Sequence, residues 1–408
     1  MTGAVPLPAL HTPATRRRWL RGLASLTLTP LAVHLPAMAQ TRPACDTMTD
    51  WREFTARHVQ RDGRVVDFDT PQQHSTSEGQ SYSLFFALVH NDRTTFARVL
   101  AWTQANLCGG ASLATRLPAW QWGRKSDGSW GVLDANPASD ADLWIAYALI
   151  EAGRLWSDAR YGALGRALLA LVAREEVIRL DGLGAMLLPW PQSVARPPVY
   201  RLNPSYLPLQ LLRRFQQEDA QGPWTEIADN TVRMLGAVSP HGFAPDWCAW
   251  SSERREFVAD PDKSTVGSYD AIRVYLWAGM LNAQDPARPA LLSTLFGPRR
   301  LLEQAKGALP EYVDTSTGVG RGTGNVGYAA AVLPYLRAQG LTAPLAAQSA
   351  RVQERTAPAP PGTTPPLPYY ERMLILFGQG WLDGRFAFAR GGQLQPQWRS
   401  PCPTPRSS

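Results

Sequence analysis

The chain has 408 residues, 44% of them hydrophobic and 18% charged, with a formal net charge of +7 at pH 7. That is apolar material for one large core or two ordinary ones, in a soluble globular protein. Four of the positive charges, Arg16, Arg17, Arg18 and Arg21, fall in residues 1–39, which hold no acid; without that segment the charge is +3, too little to implicate nucleic acid as a partner.

Residues 1–39 read as a secretory leader. The arginines precede a modest apolar stretch, 22–35, that ends in Ala37-Met38-Ala39, the small-residue site of a signal peptide. The apolar part is shorter than the ~20 residues a membrane span needs, so no span is expected after its removal. "TRRRWLR" also resembles a twin-arginine leader. The mature protein is therefore expected at 40–408, periplasmic or secreted. Its four cysteines, Cys45, Cys108, Cys248 and Cys402, are too scattered for a zinc cluster. Cys45 and Cys402 lie near the two mature ends, which are often close together in a compact domain, so this pair is the expected disulfide. His58, His74, His90 and His241 form no close pair, and neither a metal nor another cofactor is expected.

After the leader, helical periodicity recurs. "STSEGQSYSLFFALVHND" at 75–92 places Glu78 just ahead of an apolar run; Phe96, Val99, Leu100, Thr103 and Leu107 then follow the spacing of one helix face. Similar blocks fall at 143–156, 161–175, 205–217, 224–238, 269–281, 326–338 and 370–382, giving nine or more helices with little strand alternation. Loops rich in Pro, Gly and Trp lie between them. Such a series predicts helical hairpins closing into a barrel, with function on the loops at one end. The proline-dense "APAPPGTTPPLP" at 357–368 reads as an inter-helix loop, so 40–408 is one domain. "GTGNVG" at 322–327 has the spacing of a dinucleotide loop but no preceding strand, and reads as a loop entering a helix.

Fifteen tryptophans are many for a chain with so few charges. Flat amphipathic rings suit sugar faces, although large cores also consume Trp. Trp120 and Trp122, in the loop "LPAWQWG", are the candidates for stacking on a ligand. Three acids open helices: Glu78; Asp140, with Asp142, in "ASDADLWIAYALIEAGRLW" at 138–156; and Asp270 in "GSYDAIRVYLWAGM" at 267–280. Acids there can serve merely as caps and suit the macrodipole. Tyr269 and Arg273 flank Asp270, either orienting it or, for Arg273, forming an ordinary i, i+3 ion pair.

These segments carry a family resemblance. Residues 138–156 resemble the signature of family 8 glycoside hydrolases at every specified position, and "TSEGQSY" and "SYDAIRVYLW" resemble the family's two other characteristic segments in the same order. The resemblance extends from about residue 50 to 398. It is strongest to endo-1,4-β-glucanases (cellulases) that accompany bacterial cellulose synthases, through "NPSYLP" at 203–208, "SYDAIRVY" and "LFGQGW" at 376–381. Ser83 stands where glycine is frequent in the family. The resemblance implies an all-α fold, the (α/α)6 barrel of six inner and six outer helices, and hydrolysis of β-1,4-glucan (cellulose) with inversion. It implies Glu78 as general acid, Asp270 as general base and Asp140 as the carboxylate holding a distorted sugar. Asn203 and Tyr206 are candidates for contacts to sugar hydroxyls, and Tyr269 and Arg273 for orienting the base and its water. A cellulose synthase secretion complex is the implied partner. Activity on mixed-linkage β-glucan, chitosan or xylan, or a non-catalytic role guiding a glucan chain, are the alternatives on the same barrel.

Overall fold

The computed structural model describes residues 49–191, 195–263, 265–304, 307–357 and 365–399. The expected leader, Cys45 and Cys402 lie outside them, and so does most of the proline-dense loop. Cys108 and Cys248 are both buried and free.

The helices are α1 (Thr49–His58), α2 (Ser77–Val89), α3 (Arg93–Trp102), α4 (Ser139–Trp156), α5 (Ala159–Glu175), α6 (Leu209–Glu218), α7 (Trp224–Val238), α8 (Ala271–Met280), α9 (Arg288–Thr294), α10 (Gly297–Gln304), α11 (Val326–Ala331), α12 (Leu333–Ala338), α13 (Thr342–Thr356) and α14 (Tyr369–Leu382). Their burial sorts them into two rings. In α2 every residue from Gly79 to Val89 is buried, and in α8 all ten are. A helix apolar all round must be covered all round. By contrast α3 buries five residues and α13 only Gln348 and Val352. Inner α2, α4, α6, α8, the α11–α12 pair and α14 thus alternate along the chain with outer α1, α3, α5, α7, the α9–α10 pair and α13. This is the expected (α/α)6 barrel. Packing of α1 on α14 closes the ring.

Phe377 of α14 marks the axis. Its ring lies 5.2 Å from Tyr82 and 4.6 Å from Phe86 on α2, 5.4 Å from Trp144 on α4 and 5.2 Å from Trp277 on α8, centroid to centroid. Many of the tryptophans are core residues of this kind. Inner and outer helices approach closely where glycine permits: a Cβ on Gly165 of α5 would sit 2.8 Å from the backbone nitrogen of Ile150 on α4.

Short antiparallel strands, scarcely anticipated from the sequence, sit in the loops. Ser75–Thr76, Gln121–Arg124 and Trp130–Asp134 form one sheet; Ala195–Arg196, Val199–Leu202, Cys248–Ser251 and Glu256–Ala259 a second; Val266–Gly267, Tyr312–Asp314 and Val319–Arg321 a third. Each is two to five residues long, too short for alternation to register. Together they include the segments that enter α2, α4, α8 and α11, so they build the barrel end from which the inner helices start. That end also holds Glu78, Asp140 and Asp270. A hairpin of Phe386–Phe388 and Leu394–Pro396 follows α14 at the opposite end.

Candidate active site

Neither the Glu78 nor the Asp270 side chain caps its helix, while Asp140 Oδ1 accepts from the Ala141 N–H in the first turn of α4 at 2.9 Å. Thr76 caps α2, its side chain accepting from the Gly79 N–H at 3.1 Å. At α8 the capping falls to Asp246, from a different loop, whose Oδ1 accepts from the N–H groups of Ser268 (2.7 Å) and Ala271 (2.8 Å) while Oδ2 accepts from the Ser268 hydroxyl. Glu78 and Asp270 are thereby left available at the barrel mouth, both half-buried. Asp140 is deeper, 1% exposed.

Arg273, buried on α8, joins them. Its Nη1 donates to Asp140 Oδ2 at 3.1 Å and to the Tyr82 hydroxyl at 3.0 Å; its Nη2 donates to Asp270 Oδ1 at 2.7 Å and to Ser205 Oγ at 3.0 Å. The i, i+3 pair anticipated from the sequence exists, but it is one arm of a clamp that ties three inner-helix segments together. Asp270 receives a second donor, Asn203 Nδ2, at 3.2 Å. Asn203 in turn accepts from Ser205 N–H and Oγ, which fixes its amide.

Glu78 has a different setting. Its Oε1 accepts from the indole N–H of Trp120 at 3.0 Å. Desolvation by its neighbours, with the negative charge of Asp140 adding to it, pushes the carboxyl up to about 8; its own backbone N–H, Arg273 and the indole oppose this. Asp140 is raised to about 6, by burial first, with Arg273 pulling it down and Asp270 pushing it up. The two titrate as an interacting pair. Glu78 is therefore the carboxyl that keeps a proton at neutral pH, whereas Asp270 is held by one cationic and one amide donor.

The other candidates divide. Trp120 is 36% exposed beside Glu78, as a stacking platform requires. Trp122 is more engaged: it stacks on Trp130 at 5.5 Å, meets Trp102 edge-on at 5.4 Å and lies under the Arg64 guanidinium at 4.4 Å. The open member of that group is Trp130, 44% exposed. Tyr269 is 38% exposed, and its hydroxyl donates to Glu311 Oε1 at 2.5 Å, not to Asp270. Tyr206 lies near the clamp, its ring 5.8 Å from the Arg273 guanidinium, and burial raises its phenol.

Sequence reading passed over Tyr82, Ser205, Asp246 and Trp130. Tyr82 could have been found, since it stands four residues after Glu78 and shares its helix face. Asp246 had no signal, because its partners are more than twenty residues away in another loop. Among the described residues no group of three or more His, Cys, Asp and Glu could hold a metal ion, and no helix is long and apolar enough to cross a membrane.

The chain has relatives along most of its length. Residues 28–384 match the model for glycosyl hydrolases family 8, and the chain belongs to that family. It is 53% identical over 388 residues to an endoglucanase of Xanthomonas axonopodis pv. citri, covering 95% of this chain and 98% of the relative. An endoglucanase of Escherichia coli K12 is 42% identical over 368 residues, 90% of this chain and 96% of that one. The crystal structure of an endo-1,4-D-glucanase from Vibrio fischeri ES114 superposes with a TM-score of 0.80 at 42% identity, covering 86% of this chain and 99% of the other.

Proposed function

We propose that the protein is an endo-1,4-β-glucanase that cleaves internal bonds of cellulose-type chains by single displacement, with Glu78 as acid and Asp270 as base. The observation that carries the assignment is the unequal treatment of the two carboxyls. Glu78 has only neutral side-chain donors, the Trp120 indole at 3.0 Å and the Ser77 hydroxyl at 3.5 Å, and a raised proton affinity, while Asp270 is bound by Arg273 and Asn203. A glycosidic oxygen is a poor leaving group and needs a proton as its bond to the anomeric carbon breaks. Glu78 supplies it. Asp270 takes a proton from water as the water oxygen bonds to the same carbon from the opposite face. Asp140, fixed by Arg273, holds the sugar whose ring flattens between them. Exposed Trp120, Trp130 and Tyr269 around the mouth offer faces along which a polymer can lie.

Proton NMR of the first products from a β-1,4-glucan, recorded before mutarotation, tests this. The α-anomer is expected; an initial β-anomer would mean double displacement and would remove Asp270 from the role of base.

The setting we infer is outside the cytoplasm, beside a cellulose-secreting complex. Arg16–Arg18 with Ala37-Met38-Ala39, and the segments "NPSYLP" and "LFGQGW", support it. Terminal sequencing of the exported protein should begin at Gln40, and the protein should co-purify with the secretion complex. A start that retains Arg16, or no association with the complex, contradicts the respective inference.

A further inference from the structure

Behind the site lies a second pair of carboxyl groups that the mechanism above does not use. Asp142 follows Asp140 by two residues on α4, about 200° further round the helix. Glu176 ends α5: its N–H donates to the Val172 carbonyl and its own carbonyl accepts from the Leu188 N–H. Asp142 is 0% and Glu176 1% exposed. Among the described residues no N–H or O–H reaches any of their four carboxyl oxygens; the two carboxyl groups meet each other instead.

Their electrostatic surroundings are uniformly acidic. Asp142 faces Glu176, Asp140 on its own helix and Glu78 on α2, with the neutral thiol of Cys108 nearby. Glu176 faces Asp142, Asp140 and Glu175. Two ionised carboxylates in contact, buried, with no donor and further acids alongside, repel each other and lose their hydration without replacement. A proton between them turns the same contact into an O–H···O hydrogen bond. Burial accordingly pushes both groups well above the usual carboxylate range.

We propose that Asp142 and Glu176 hold a proton between them through the neutral pH range and act as positioning residues for Asp140. If both ionised, a second negative charge beside Asp140 would draw a proton onto it and weaken its bond to Arg273, the clamp that also holds Asp270. The protonated pair keeps that charge away. The inference rests on Asp140 and Asp270 serving the reaction as proposed above.

An amide is a permanent stand-in for a protonated carboxyl, and this gives the test. In a Glu78→Gln background, infrared spectra at neutral pH should contain a protonated-carboxyl C=O band that disappears in Glu176→Gln. That readout does not depend on catalysis. In the chain with Glu78 intact, Asp142→Ala and Glu176→Ala each strand a buried carboxyl without a partner, and should lower kcat about tenfold or more by displacing Asp140. Asp142→Asn combined with Glu176→Gln should restore kcat to within about threefold of the parent, with its pH profile retained. Absence of the band, or an amide pair as damaged as the alanine variants, overturns the proposal. Full activity in Asp140→Asn with the band present would instead overturn the role given to Asp140 and leave the proton-holding pair standing.

Discussion

The two ends of the barrel treat buried acids in opposite ways. At the end away from the mouth, Glu151 of α4 is 0% exposed, and every part of its carboxylate is answered. Arg214 Nε reaches Oε1 at 2.7 Å, Arg154 bonds both oxygens, and the Leu394 N–H donates to Oε2 at 2.7 Å. The Tyr147 hydroxyl donates to the Gly392 carbonyl at 2.7 Å, so the same helix grips the C-terminal hairpin at two points. Two to three turns earlier on α4, Asp140 and Asp142 belong to a group of acids with a single buried arginine, Arg273, serving Asp140 and Asp270. One helix thus carries a satisfied acid that fastens structure, Glu151, and an acid whose carboxyl oxygens have no donor among the described residues, Asp142. Full neutralisation would leave no proton to donate.

The largest separation between the ends should come from amide substitutions. Glu78→Gln and Asp270→Asn keep the size of the side chain and one acceptor oxygen but remove proton transfer, worth ~10² to 10⁴ in rate. Each should lose at least that much turnover on a soluble β-glucan, with the denaturant midpoint close to the parent's. Near-normal turnover in either folded variant would remove that residue from its role. Glu151→Gln should do the reverse. It leaves Arg214, 5% exposed, with Glu218 as its remaining counter-charge, so the cost should stay below the about 3–5 kcal/mol of a stranded buried charge. Urea unfolding should register that loss while kcat per folded molecule stays unchanged; a large fall in kcat would mean that the far end is coupled to the chemistry.

The mouth was more legible in the sequence than the far end, for a physical reason. Glu78, Asp140 and Asp270 sit where an irregular segment turns into a helix, a place where short-range pattern is informative. The inner helices announced themselves as long apolar runs; counting gave nine or more helices, and the alternation of six inner with six outer came from the family resemblance. What joins the acids was not visible. Arg273 reads locally as an i, i+3 partner, yet its bonds to Tyr82 and Asp140 span 191 and 133 residues. The Glu151–Leu394 contact spans 243. Trp120 and Trp122 show the same limit: two residues apart in one loop, one faces the acid and the other is enclosed by Arg64, Trp102 and Trp130. Spacing along the chain could not divide them.

A smaller contrast is the pH dependence of stability that Asp142 and Glu176 add behind the mouth. Asp142 and Glu176 are raised in the folded protein, so between the ordinary carboxylate range and their raised values the folded state holds protons that the unfolded chain has released. Their contribution is fully present at acid pH and declines as pH rises through that window. Asp142→Asn with Glu176→Gln should therefore flatten the alkaline fall in the denaturant midpoint. An unchanged slope would place the titration elsewhere.

The smallest effect separates Glu78 from its shorter side-chain donor. Trp120→Phe keeps an aromatic face but removes the indole N–H that accompanies Glu78 Oε1 at 3.0 Å. A carboxylate that loses a donor is less favoured in its charged form, so the proton affinity of Glu78 rises from its value of about 8. The acid must be protonated to act, and the alkaline limb of kcat/KM reports the free enzyme's acid. That limb should move to higher pH by about half a unit, less than the loss of an ionic partner would produce. The acidic limb, set by the base, should stay in place. A shift to lower pH would mean that the indole had been shielding Glu78 from water more than it had been donating to it. Desolvation, not the hydrogen bond, would then be the influence of Trp120 on the acid.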